Sequence, residues 1–177
     1  MPLNLEDKKA LVKEVAEIAA VSQSVVAAEY RGITVTQMTE LRARARAKGV
    51  YVRVVKNTLA RKALAGTSFE AIGSRLKGPL VLAFSKDDPG AAARVVKDFA
   101  KTNDKLVATL VSIGGQVLPG SDLEKVAALP TREQALSILL GVLKAPIEKF
   151  VRTVAAPTTK LVRTVAAVRD AKQAAGA

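Results

Sequence analysis

The sequence has no histidine and no cysteine. Those two absences remove the commonest general base, thiol nucleophiles, disulfides, and nearly all zinc, haem and iron–sulfur ligation. Acid–base or metal chemistry would have to run on carboxylates, lysine or tyrosine, and no converging pair stands out among Asp87, Asp88, Asp98 and Asp104. Tryptophan is missing too, and aromatics make up only 3% of the chain, so a core must be aliphatic and rows of base-stacking aromatics are disfavoured. Neither a G-x-x-x-x-G-K-[ST] nor a G-x-G-x-x-G loop occurs. No apolar run approaches the roughly 18–20 residues of a membrane span, and the segment up to Lys9 lacks the layout of a secretory signal. The expectation is a cytoplasmic protein that is not an enzyme, with no metal, cofactor, small-molecule substrate or membrane partner.

What the chain does have is positive charge. Its 28 Lys+Arg face 16 Asp+Glu, a formal net of +12. Residues 1–79 hold 14 basic and 7 acidic side chains, residues 80–130 hold 6 of each, and residues 131–177 hold 8 and 3. Two basic regions flanking a neutral one imply two separate acidic partners, one of them nucleic acid.

Hydrophobic periodicity predicts a helix over residues 5–20 and a short buried strand over 25–28. Thr36 is expected to cap a helix ending at Lys48-Gly49. The β-branched run 50–55 is a strand, and Asn57 is expected to cap the helix that Gly66 closes. A third strand follows over 79–84, then a helix opened by Asp88-Pro89, then a fourth strand over 105–113 turned by Gly114-Gly115. This alternation predicts an α+β domain over 1–115, a four-stranded sheet covered by helices on one side. Pro119-Gly120, a helix near 121–128 and Pro130 suggest a small helical hinge over 116–130.

The last 47 residues, 131–177, follow another rule. Thr131-Arg132-Glu133-Gln134 matches a capping box, and an 11-residue period follows it. Leu139, Phe150 and Leu161 are in register, as are Leu140, Val151 and Val162, and Leu143, Val154 and Val165. Leu136 and Ile147 share a phase whose third member is Thr158, and Pro146 and Pro157 share another. Eleven residues make about three helical turns, so an apolar stripe returns to nearly the same face every ~16 Å of a long helix kinked at its prolines. The stripe divides into Leu136/Leu139/Leu140/Leu143, Ile147/Phe150/Val151/Val154 and Leu161/Val162/Val165/Val168, three docking units for partner helices. A coiled coil, or a helix folded back on the domain, is the alternative.

The densest basic stretch runs from Arg42 through Arg44, Arg46, Lys48, Arg53 and Lys56 to Arg61 and Lys62 without an acid inside it. Arg42 and Arg46, four apart on one helix face, repel unless an anion lies between them. Lys56-Asn57-Thr58, where a strand end meets a helix start, would bring side chains and free N–H groups to one point, as a phosphate cradle does; an ordinary helix cap explains the same residues equally well.

Tyr30-Arg31-Gly32, then Met38-Thr39-Glu40-Leu41-Arg42, then Gly49-Val50-Tyr51-Val52-Arg53-Val54-Val55-Lys56-Asn57-Thr58-Leu59, in that order, resemble the bacterial stalk-base protein of the large ribosomal subunit, the family of ribosomal protein ten. Gly78-Pro79, the run from Pro89 to Arg94 and the final stretch from Lys160 to Lys172 resemble it as well. The resemblance implies a ferredoxin-like domain that binds 23S rRNA beside the neighbouring eleventh large-subunit protein. It also implies a C-terminal helix holding two or three dimers of the acidic stalk protein, which recruit the translation GTPases, and repression of its own message. The residues it carries over for RNA contact are Arg31, Gly32, Lys56, Asn57, Thr58 and Arg61, while Lys8 and Lys62 rest on charge alone. Where a shorter member would show one VRT[VL]AA unit, this chain shows two, at 151–156 and 162–167, which favours three dimers. A basic DNA-binding or coiled-coil scaffold protein is the rival expectation, with a tail that associates with itself and no preference among DNA sequences.

Overall fold

The computed structural model describes residues 4–103 and 105–175, so Asp104 lies outside the described residues. The first compact unit closes at Thr131 and the second opens at Arg132. In the first, strands β1 (Ser24–Glu29), β2 (Val50–Val54), β3 (Leu80–Ser85), β4 (Val107–Ile113) and β5 (Gln116–Pro119) form one sheet of order β2-β3-β1-β4-β5. Every neighbouring pair is antiparallel. Helix α2 (Val35–Ala47) links β1 to β2, and α5 (Ala91–Thr102) links β3 to β4. With β4-β1-β3-β2 as the strand sequence across the sheet, this is the ferredoxin-like α+β arrangement.

The sheet is covered on both faces, not on one. Val25, Ala27, Leu80, Leu82 and Phe84 enter a core with Val15 of α1 (Leu5–Val21), Leu64 of α3 (Asn57–Leu64) and Ile72 of α4 (Glu70–Gly73). The alternate residues Val26, Ala28, Val81 and Ala83 enter a second core with Leu41 of α2 and Phe99 of α5. Side chains alternate across a strand, so a central strand that is apolar at consecutive positions must be kept from water on both sides.

The expected four strands are five. Gly114 (φ 55°) and Gly115 (φ 89°) take the left-handed conformations of a two-residue hairpin turn, which pairs Ile113 with Gln116. The returning strand was illegible because it is four residues long and ends in proline. The small helical hinge follows β5. β5 extends the sheet, and α6 (Leu123–Ala127) sends Leu123 and Val126 into the core that holds Phe99.

Two helix starts also move. Thr34, not Thr36, caps α2: Gln37 N donates to Thr34 Oγ1 at 3.3 Å and Thr34 N to Gln37 Oε1 at 3.0 Å. Only Thr34 has a glutamine three residues on, which closes a capping box. Helix α5 starts at Ala91, and Asp88 holds the preceding turn by accepting from Gly90 N at 2.9 Å.

The second unit is a single helix, α7 (Arg132–Ala175), of 44 residues. At 1.5 Å per residue it is about 66 Å long. Pro146 and Pro157 lie inside it, and neither ends nor divides it.

Candidate nucleic-acid interface and apolar tail stripe

One end of the sheet collects the C-terminal ends of β1 and β2 and the N-terminal end of β3, because β3 runs antiparallel to both neighbours. The connections bring helix N-termini to the same end. α2 leaves from the end of β1, α3 from the end of β2, and α1 runs toward the opposite end before β1 begins. Three partial positive charges of helix dipoles therefore gather where the chain also places cations.

At this end a groove of about 390 Å³ is lined by Tyr30, the stretch from Val54 to Thr58, and Gly78 to Leu80. The sequence-expected Lys56, Asn57 and Thr58 thus meet in one place. Lys56 occupies the cap position of α3 with extended backbone, and its carbonyl accepts from Leu59 N at 2.8 Å and Ala60 N at 3.0 Å. The N–H groups of Asn57 and Thr58 precede the first helical bond and have no backbone acceptor among the described residues. Asn57 does not cap the helix, contrary to expectation. Its Nδ2 donates to Gly78 O at 2.9 Å and ties the start of α3 to the loop before β3. Tyr30 N donates to Pro79 O at 3.4 Å and closes the other side. The result is a cradle with fixed walls, two open N–H donors and an exposed lysine.

Arg31 and Gly32 form the turn after β1. Gly32 has φ 83°, which an L side chain rarely adopts, so its glycine serves the turn geometry first. Arg31 lies 3.7 Å from Glu29, with its side chain 81% exposed. A pair that exposed contributes little and leaves the guanidinium available to a stronger anion. Arg61 is more committed: Nε donates to Gly73 O at 3.0 Å and Nη2 to Leu76 O at 3.1 Å. It therefore ties α3 to the end of α4 and the loop beyond, with its remaining N–H groups outside these bonds. Lys62 is exposed on α3. Lys8 is exposed in the second turn of α1, directly after Glu6 and Asp7, which offset its charge.

Two cations at this end were missed in the sequence. Lys77 precedes Gly78 of the groove. Lys105 lies against the turn after β1, since a Cβ added to Gly32 would sit 3.5 Å from its Cδ. No local pattern marks Lys105; the pairing of Glu29 with Val107 brings it there.

The tail shows the opposite distribution. Leu136, Leu139, Leu140, Leu143, Ile147, Phe150, Val151, Val154, Leu161, Val162, Val165 and Val168 are all exposed, from 52% at Leu136 to 70% at Phe150. At about 100° per residue they fall within an arc of roughly 140°, which drifts by about 20° per 11-residue period. Ile138 and Val142 are also exposed and widen the apolar surface of the first cluster beyond the expected set. Thr158, the polar residue in an apolar phase, turns its hydroxyl back to Ala155 O at 2.9 Å, so its oxygen is satisfied by the helix itself. Lys149 and Lys160, and Arg152 and Arg163, repeat at the same period on the opposite side.

No group of three or more carboxylates among the described residues could hold a metal ion. Among them, no single helix is long and apolar enough to cross a membrane.

Comparison with known proteins covers both units. The profile of the family described as "Ribosomal protein L10" matches residues 3–101. The profile described as "Ribosomal protein uL10 C-terminal region" matches twice, over 129–156 and over 155–175. A "Large ribosomal subunit protein uL10" from Thioalkalivibrio sulfidiphilus is 64% identical over 98% of this chain and 99% of its own length. One from Methylococcus capsulatus is 65% identical over 99% of this chain and 100% of its own. These relatives match along their full length, the repeated tail included.

Proposed function

The chain belongs to the ribosomal protein L10 family, a structural and non-enzymatic component of the large ribosomal subunit, and on that premise we propose that it joins 23S rRNA at the stalk base to dimers of the acidic stalk protein. The first unit grips RNA with the sheet-end cradle. Lys56 and Arg31 neutralise phosphates, the N–H groups of Asn57 and Thr58 donate to a phosphate oxygen, and Asn57 also fixes the wall. Lys8, Lys62 and the outer face of Arg61 add to the field around it, and the eleventh large-subunit protein is the neighbour on the same RNA. Repression of its own message would use this cradle too. The second unit docks stalk dimers on its three apolar clusters, and those dimers recruit the translation GTPases in the cytoplasm.

The observation that carries this function is the pairing of two unlike surfaces on one chain: a basic cradle at a sheet end, and a 44-residue helix with its apolar stripe uncovered. An uncovered stripe of that length marks a binding surface. A DNA-compacting scaffold would not carry the matched profiles of both parts.

Lys56→Ala tests the cradle. Binding to a stalk-base rRNA fragment should weaken by about 1.5–3 kcal/mol, the scale of one charge-assisted hydrogen bond. The salt dependence should flatten by about one phosphate. Unchanged affinity with an unchanged salt slope removes Lys56 from the interface. Lys56 is the better probe because Arg61→Ala would also break two bonds that hold α4 and its following loop.

A further inference from the structure

Strand β2 is an edge of the sheet, paired among the described residues only with β3. Beside it a groove of about 650 Å³ runs between α1 and α2, lined by Leu11, Thr39, Arg42, Arg46 and β2 itself. A third groove, of about 300 Å³, joins Tyr30 to Thr39 and Arg42. The three hollows share residues at every junction: Tyr30 lines the cradle and the third groove, Thr39 and Arg42 line the third and the edge groove, and Val54 lines the edge groove and the cradle. They form one continuous track from the sheet end along α2 and the open strand edge.

The charges along this track are unequal. Arg44 is paired with Glu40 at 2.5 Å and Lys48 with Asp98 at 3.0 Å, so those two α2 cations are answered within the domain. Across the groove Glu14 accepts from Tyr51 Oη at 2.5 Å and lies 3.6 Å from Arg53. No carboxylate among the described residues lies within 4.0 Å of Arg42 or Arg46, the two arginines that line the edge groove from α2. They are four residues apart, about 6 Å along the helix axis, comparable to the step between successive phosphates of an RNA strand. Two exposed like charges at that spacing destabilise a helix unless an anion bridges them.

We propose that the β2-edge groove is a second arm of the RNA site, in which Arg42 and Arg46 hold consecutive phosphates of the strand that leaves the sheet-end cradle. This rests on the RNA reading of that cradle and extends it. RNA backbone is favoured over an added peptide strand because the groove is continuous with the cradle and because its uncompensated groups are guanidiniums that match phosphate.

The test uses the full chain and a stalk-base rRNA fragment, with hydroxyl-radical footprinting and affinity measured across a salt series. Arg42→Gln with Arg46→Gln should lower affinity at least tenfold, and the slope of log K against log salt should fall by about 0.7–0.9 for each phosphate lost. Protection should disappear at one end of the footprint only, whereas Lys56→Ala should remove the other end. Arg42→Lys with Arg46→Lys should restore the salt slope and only part of the affinity, an outcome that a misfolded domain could not give. A glutamine pair with wild-type slope and footprint, while Lys56→Ala still weakens binding, overturns the second arm and leaves the cradle standing. If Lys56→Ala is also silent, the cradle itself fails. Loss of binding to a poly-glutamate peptide without loss of RNA binding would overturn the proposal in favour of strand addition at β2.

Discussion

The two units use similar apolar side chains for opposite ends. Phe69, Phe84 and Phe99 of the first unit are at most 1% exposed, while Phe150 of α7 is 70% exposed. The first unit consumes its apolar surface in two cores, and what it offers to a partner is charge and backbone N–H groups. The tail leaves its apolar surface exposed. A side chain's chemistry therefore does not tell its role; whether the fold covers it does. In the first unit the sequence alternates or runs solid to suit a sheet with two covered faces. In the tail it repeats every 11 residues, along a helix whose stripe no other described part of the chain buries.

The sharpest way to break this contrast is to remove one period of the tail. Deleting residues 157–167 preserves the helical register of residues 168–175 and should reduce the assembled complex from six acidic stalk subunits to four, with RNA affinity unchanged. Native mass spectrometry reads the count directly. Four subunits on the intact chain would make the third cluster a spacer. Next in size is a pair of matched truncations. Phe84→Ala should cost about 3–5 kcal/mol of stability by urea unfolding, from lost transfer energy plus a cavity. Phe150→Ala should leave the unfolding midpoint in place and instead weaken stalk-protein binding. A stability loss at Phe150 as large as that at Phe84 would mean the stripe is covered within the chain.

The smallest effect concerns protons. Tyr51 is pushed up to about 12, mainly by burial and further by its hydrogen bond to Glu14, with Arg53 acting the other way. The folded state holds the phenolic proton more tightly than the unfolded chain, whose tyrosine titrates near 10. Its contribution to stability is therefore complete below pH 10 and is lost as pH rises toward about 12. A spectrophotometric tyrosine titration should show this late component, and Tyr51→Phe should abolish it. A Tyr51 that ionises near 10 would break the link to Glu14. With no histidine in the chain, RNA affinity should stay flat across about pH 6–8.

Much of this was legible from residue order alone. The α+β class, the strands at 25–28 and 79–84, the start of α7 at Arg132 and the 11-residue stripe follow from local patterns that the fold respects, while the ferredoxin-like arrangement was implied by the family resemblance. The family showed in the run from Gly49 to Leu59, and the profiles matched both parts. Two side chains show what residue order hides. Asn57 looks like a cap because asparagine often is one, yet its amide reaches a carbonyl 21 residues away. Arg61, carried over by the family resemblance, also holds Gly73 O and Leu76 O, bonds that its place in the sequence does not announce. A hydrogen bond partner that is distant in sequence leaves no local trace.

By itself, then, the sequence determined where most helices and the four longer strands lie, and that the tail carries an apolar stripe of 11-residue period. Those properties depend on periodicity and backbone preference within a few residues. Only the tertiary structure decided which charges stand together. Antiparallel pairing of β3 between β1 and β2 carries Tyr30, Lys56 and Gly78 to one sheet end. The pairing of β4 with β1 brings Lys105 beside Gly32, and the edge position of β2 leaves Arg42 and Arg46 facing an open groove. Coulomb energy depends on distance in space, and distance in space between remote residues is set by strand order, which no short stretch of this chain contains.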